Sequence, residues 1–271
     1  MLLAIDAGNT QTVVGLYDVN DGQAEPRYHW RISTALGRTA DEHALVIGGL
    51  VETTGGSFAD VVTGVAIASS VPPVTVAIRE LAERHLGTEA IVVGPGVKSG
   101  IPILYDNPRE VGPDRIADAV AAYDLFGGPT IVVDFGTATT FEVVTAKGEY
   151  LGGAICPGVG ISLDALFGRA AGLRRQEPTA PDRVVGRSTL ESISSGAIYG
   201  FVAQCDGMCA RVEAEVGEPC TVVATGGLAG LVVDHSERIQ HHEPWLTLHG
   251  VRLVYERNRD EGETARLNKA N

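Results

Sequence analysis

The sequence predicts an α/β protein built from two similar halves in tandem, and three observations carry that expectation. Apolar strand-like runs alternate along the chain with segments of helical periodicity, which implies a substantially parallel sheet with helical crossovers. A short pattern of apolar strand, Asp, any residue, Gly, small polar turn and apolar strand heads each half. Asp134, Gly136 and Thr140 each lie 128 residues after Asp6, Gly8 and Thr12. A chance hairpin has no reason to recur in this way, so the repeat favours a duplicated domain. Finally, 271 residues with 44% hydrophobic and 20% charged side chains suffice for two ordinary globular cores.

Taken in order, LLAIDAG and TVVGLYD read as two strands joined at Gly8-Asn9, and RYHWRIS as a third strand with alternating polarity. TADEHALVIGGLVETT reads as a helix with Thr39 as its N-cap and acids in its first turn. VVTGVAIAS is a buried strand closed by Pro72-Pro73, VTVAIRELAERHLG a helix, and EAIVVG another strand. Residues 95–112 form a loop rich in Gly and Pro, after which PDRIADAVAAYDLF opens a helix with Pro at its first position.

The second half begins with TIVVDFGTATTFEVVTAKG, the repeat of the opening strand pair. EYLGGAICPG is a strand ending in a Pro-Gly turn, and VGISLDALFGRAAGL a helix. A polar linker follows around 174–187, then a long, mostly apolar helix from TLESISSG to EAEVG. PCTVVATGGLAG is a strand running into a Gly-Gly turn and a short helix, and PWLTLHGVRLVYERN closes the fold. The expected division is a first domain over 1–125, a second over 126–258, and a charged, aperiodic tail over 259–271.

A formal charge of −13 argues against a nucleic-acid partner, because affinity for a phosphate backbone rests on many Lys and Arg contacts and no basic stripe is present. An acidic chain still binds a small anion where peptide N–H groups, helix N-termini or bound cations supply positive field. Cys156, Cys205, Cys209 and Cys220 fit no disulfide framework and read as reduced core thiols. The seven histidines, including His241-His242, have no metal-ligand spacing and read as surface or helix-end residues. MLLAID lacks the basic region of a signal peptide and no uncharged apolar run reads as a membrane helix, so a soluble cytoplasmic protein with no membrane partner is expected.

Chemistry concentrates in a few turns. An Asp before a Gly-rich bend can aim peptide N–H groups at phosphate oxygens while its carboxylate meets the accompanying cation. A single such turn is equally what any tight hairpin uses. ATGG at 224–227 lets a base or ribose approach the backbone, although a plain strand-to-helix turn has the same composition. No GxxxxGK[ST] motif is present, which excludes a P-loop enzyme. GPDR at 112–115 reads as a helix start, with Asp114 favourable at the positive end of the helix dipole by roughly 0.3–1 kcal/mol. Asp114 and Asp118 nevertheless place two like charges four residues apart, a mild penalty that helix stability does not explain.

The order DAGNT, RTADE, GPDR, DFGTATT, GGAICPG, STLESISSG and ATGGLA resembles that of the type III pantothenate kinases, a branch of the actin, Hsp70 and sugar-kinase superfamily, over residues 1–257. The resemblance implies two ribonuclease-H-like, actin-like ATPase domains with a nucleotide cleft between them. It also implies transfer of a phosphoryl group from ATP to pantothenate, the first step toward coenzyme A, without feedback by coenzyme A.

By that resemblance Asp114 is the proton acceptor, and Asp6, Ala7, Gly8, Asn9, Thr10, Gln11, Thr12, Val13 and Thr137 contact ATP. Tyr105, Gly112, Pro113, Asp114, Arg115 and Thr189 bind the acceptor. Asp6 lies near Mg2+, and Asp134 holds a monovalent cation, K+ or NH4+. A homodimer is implied, with the long apolar helix from 189 to 216 as its expected contact, which periodicity alone does not show. Pro113 stands where the family often has a small residue and Ser188 where Asn is frequent, and neither change removes a charge. Two other readings stay open: a non-catalytic transcription accessory factor, and a superfamily kinase for a sugar or carboxylic acid. Clustered carboxylates at Asp6, Asp114 and Asp134 favour an enzyme over a regulator.

Overall fold

The computed structural model describes residues 1–170 and 178–269. The chain divides into two units, one formed by Met1–Asp124 together with the chain from Trp245 onward, the other by Leu125–Pro244.

In the first unit β1 (Leu2–Ala7), β2 (Gln11–Tyr17), β3 (Tyr28–Ser33), β4 (Gly64–Ser69) and β5 (Ala90–Val92) form a five-stranded sheet in the order β3-β2-β1-β4-β5. β1 pairs antiparallel with β2 and parallel with β4, so the turn after β1 and the end of β4 share one sheet edge. The crossovers are α1 (Ala40–Glu52), a four-residue α2 (Phe58–Val61) that the sequence reading lacks, and α3 (Pro72–Leu86). Thr39 caps α1 as expected, its hydroxyl accepting from the Glu42 amide and the Glu42 carboxylate accepting from the Thr39 amide. Pro72 and Pro73 open α3 rather than merely closing the strand, because proline's fixed φ and missing N–H cost nothing in a first turn. Leu3, Ile5, Val14, Ile47, Ile67 and Leu81 are fully buried between sheet and helices.

α4 (Pro113–Phe126) begins in the first unit after the irregular loop and a 3-10 turn at Pro108–Glu110. Ile116, Ala117, Ala119, Val120, Ala121 and Ala122 are all buried, so α4 is enclosed on every face over 115–122 and emerges at Asp124 and Leu125.

The second unit repeats the first topology. β6 (Thr130–Phe135), β7 (Ala138–Val144), β8 (Tyr150–Pro157), β9 (Thr221–Thr225) and β10 (His241–His242) run in the order β10-β9-β6-β7-β8. The crossover contains α5 (Val159–Arg169) and α6 (Thr189–Val216). The expected end of the α5 helix at 171–173 and the start of the linker at 174–177 lie outside the described residues, as do 270–271 of the expected tail. Cys205, Cys209 and Cys220 are buried in this unit's core with Ile131, Val133 and Phe141, and Cys156 is half-buried beside them. A hydrogen bond with Cys205, then burial, pushes the Cys209 thiol far above its usual range, and burial first raises Cys220 to about 11, so both stay protonated and unreactive. His241-His242 is exposed but forms an edge strand rather than a helix end.

Two expectations are corrected. Residues 245–258 pack with the first unit rather than the second, as the start of α7 (Leu246–Lys269), which lies on β1, β2 and β4. Their apolar periodicity shows a buried helix without showing which sheet buries it. That helix also continues through 259–269, where an irregular tail is expected from the charge run.

Candidate functional site

The first acidic turn is held by its own backbone and by one residue that the motif does not contain. Ala7 pairs with Thr12 across the β1–β2 hairpin, and the Gly8 amide donates to the Gln11 carbonyl at 3.0 Å. Thr34, just after β3, donates its hydroxyl to the Gly8 carbonyl at 2.7 Å and its amide to the Thr10 carbonyl at 3.1 Å. Its hydroxyl also meets that of Thr12 at 2.9 Å. Asn9, Thr10 and Gln11 are exposed, Asp6, Gly8 and Val13 half-buried, and Ala7 and Thr12 buried. Sequence reasoning misses Thr34 because its partners are backbone atoms 24 and 26 residues away, a relation that only strand pairing creates.

The second acidic turn is one residue tighter. Asp134 pairs with Thr140 and Phe135 with Thr139, and the Gly136 amide donates to the Ala138 carbonyl at 3.0 Å. Thr139, not Thr140, therefore occupies the buried place that Thr12 holds in the first hairpin, and the common offset of 128 residues ends at the turn.

Two further glycine turns pack on the turn from Asp134 to Thr137, one against the Asp134 carboxylate and one against the turn's carbonyls. Asp134 pairs with Thr225 at the end of β9, and Gly226 follows with a left-handed φ of +92°. A Cβ at Gly226 would collide with the Asp134 carboxylate and the Phe135 backbone. Gly158, at the end of β8, lies against the Thr137 and Gly136 carbonyls just as tightly. It is also the N-cap of α5 and offers no side chain to the first-turn N–H groups, so these remain to meet an anion. Exposed Thr137 stands at this turn. The Asp134 carboxylate, set against two glycines, is an oxygen donor of the type that suits a hard cation. In the sequence the α5 terminus was legible only as Pro-Gly before a helix.

Most of the residues expected to bind the acceptor in the first unit, Gly112 to Arg115, lie at the start of α4. The Gly112 carbonyl accepts from the Ile116 amide at 3.1 Å, so Gly112 caps the helix and Pro113 takes its first position. The half-buried Asp114 carboxylate folds over Gly112, where a Cβ would strike its Oδ1, and accepts from the Arg115 amide at 2.9 Å. Arg115 is 8% and Asp118 1% exposed, a buried opposite-charge pairing of types on one short helical stretch. Tyr105 is half-buried in the loop before α4. Thr189 is exposed at the first position of α6, after the Ser188 cap, and belongs to the second unit with Asp134 and Thr137. The structure thus groups residues 6–13 on one sheet edge, 112–115 at one helix start, and Asp134 with Thr137 at a third turn.

A family model for type III pantothenate kinase matches residues 2–211. The chain is also 52% identical over 265 residues to the type III pantothenate kinase of Streptomyces griseus, covering 95% of this chain and 98% of the relative. The chain belongs to the type III pantothenate kinase family. The corresponding kinase of Moorella thermoacetica is 49% identical, with 95% of this chain and all of that one covered.

The fold of this pantothenate kinase chain is that of the actin-like ATPases and sugar kinases. Component A of (R)-2-hydroxyglutaryl-CoA dehydratase from Acidaminococcus fermentans has a similar fold, with a TM-score of 0.55 at 14% identity over 94% of this chain and 97% of that one. A structure described as a conserved putative Baf family transcriptional activator from Campylobacter jejuni gives a TM-score of 0.57 at 16% identity, over 95% and 99%. At such identities the likeness concerns the fold alone.

Proposed function

We infer that the chain transfers the γ-phosphoryl group of ATP to the primary hydroxyl of pantothenate, giving 4'-phosphopantothenate, the first step of coenzyme A biosynthesis. The observation that carries this reading is identity near one half to kinases of that name over almost the whole of both chains. The acidic turns and the GPDR helix start supply the chemistry it needs.

In this reading Asp114 accepts the proton of the attacking hydroxyl. Its place at a helix start, half-buried, is suited to holding a carboxylate in a fixed direction. Such base catalysis contributes roughly 10²–10⁴-fold, and alignment with charge stabilisation supplies the rest. Arg115, Tyr105, Gly112 and Pro113 suit an acceptor with a carboxylate, an amide and hydroxyls on a short apolar frame, and Thr189 keeps its expected role as a contact of that acceptor. Residues 6–13 and Thr137 offer peptide N–H groups and hydroxyls to the phosphates. Asp6 would stand near Mg2+ and Asp134 would hold K+ or NH4+. When bound, these cations offset the negative charge of the triphosphate in a chain whose own formal charge is −13.

A cytoplasmic homodimer is the expected working form. Leu151 and Ile155 point outward from edge strand β8 at 42% and 65% exposure, and Ile161, Leu166 and Leu190 are exposed in the same unit, a surface suited to a second copy.

The test is a coupled assay with purified protein, ATP, Mg2+ and K+. ATP consumption should require pantothenate and stay near background with glucose or acetate. Equal turnover with those acceptors, or none with pantothenate, would overturn the reading.

A further inference from the structure

Helix α7 meets both the sheet that carries the Asp6 turn and the helix that carries Asp114. On the sheet side two glycines make room for it: a Cβ at Gly15 of β2 would come within 2.9 Å of Leu248, and one at Gly64 of β4 would collide with the Tyr255 hydroxyl. On the other side Gly250 lies so close to the Ala117 carbonyl of α4 that any Cβ would overlap it, so the two backbones meet directly.

A polar chain runs through the same contact. His249 is 2% exposed, with Nε2 3.0 Å from an Asp124 oxygen of α4 and Nδ1 3.2 Å from an Arg252 guanidinium nitrogen. A guanidinium only donates, so Nδ1 must accept, and the ring proton sits on Nε2 and is donated to Asp124. Arg252, 4% exposed, donates in turn to Glu256 at 2.5 Å, and its guanidinium carbon lies 5.9 Å from the Tyr17 ring centroid on β2. Burial, and then Arg252, lower the His249 pKa against the opposing pull of Asp124, which favours the neutral ring this pattern requires. A contact that served packing alone would need none of these ionisable groups, since apolar residues of similar volume usually do as well in a core.

We propose that α7 is the positioning element of the transfer reaction, with His249, Asp124 and the Gly250 seat setting where α4 holds Asp114 relative to the β1 turn. The inference rests on the kinase reading above. Asp124 and Asp114 lie on one continuous helix, ten residues or about 15 Å apart, so a shift at the anchored end is carried to the carboxylate. Misplacement of a reacting group by about 1 Å can cost 10²-fold in rate.

The experiment measures pantothenate-dependent kcat, KM for ATP, background ATP hydrolysis and thermal midpoint for wild type, Asp124→Ala, Asp124→Asn and Gly250→Ala. Asp124 is 40% exposed, so its truncation leaves a folded chain. Expected for Asp124→Ala is a fall in kcat of about tenfold or more, with KM for ATP and background hydrolysis unchanged. Asp124→Asn, which keeps an oxygen for the His249 proton, should recover most of that loss, and Gly250→Ala should lose at least as much as Asp124→Ala. Wild-type kcat in folded Asp124→Ala overturns the inference, as does a loss shared equally by transfer and background hydrolysis. A wild type that leaves pantothenate unphosphorylated removes the kinase reading and this inference with it.

Discussion

At the scale of single residues, the most consequential side chain is Asp114. Its carboxylate is held by the Arg115 amide and the Gly112 turn, so Asp114→Asn keeps the shape and removes the proposed base. Turnover should fall by roughly 10²–10⁴-fold while the thermal midpoint and the KM for pantothenate change little, read in the coupled assay and by calorimetry. His43 makes a different prediction. It is 1% exposed, neither ring nitrogen has a hydrogen-bond partner, and burial, with Arg38 adding to it, lowers its pKa to about 4 from 6.5. Between those values the unfolded chain binds a proton that the folded chain refuses. Stability from this residue is therefore complete above about pH 6.5 and is lost as the pH falls toward 4. The drop in thermal midpoint from about pH 7 to about pH 5 should be shallower in His43→Leu than in wild type. Asp114 was legible in the sequence because GPDR is a local motif. Thr34 and His43 were not, because one acts on the backbone of a distant turn and the other is defined by what surrounds it.

At the scale of elements, strands and helices follow the hydrophobic period closely, since burial of one face is what each period encodes. The capping box at Thr39 and the proline at the start of α4 were readable for the same reason: each acts within four residues of itself. The short α2 and the exact pairing of the second acidic turn were not, because neither has a distinct period. Gly226 shows how an element end becomes a site. Its left-handed φ and the nearness of the Asp134 carboxylate leave no room for a side chain. Gly226→Ala should cost about 1–3 kcal/mol of stability by urea titration and raise the KM for ATP, because the Asp134 recess is displaced. An unchanged KM with normal stability would show that the ATGG turn tolerates a Cβ and takes no part in nucleotide binding.

At the scale of the whole molecule, each unit repeats one sheet order, and the duplication read from two acidic turns is visible in the pairing of ten strands. Among the described residues no helix is long and apolar enough to cross a membrane. The exposed apolar residues Leu151 and Ile155 of β8 belong to this scale, because they suit the second copy proposed above. Sedimentation equilibrium should give twice the 28.4 kDa of one chain, and Ile155→Glu should shift the population toward the monomer mass. A monomeric wild type would remove the homodimer from the proposal.

By itself the sequence determined the α/β class, the duplicated halves, the family and the identities of the residues offered for chemistry. All of these are recorded in local spacing or in the order of short motifs. Only the tertiary structure decided that α7 returns to the first unit, that Thr34 clamps the first turn, and that Gly226 and Gly158 pack on the turn from Asp134 to Thr137. Those relations depend on which strands pair and which faces are buried together, and a period along the chain carries no information about the partner that completes it.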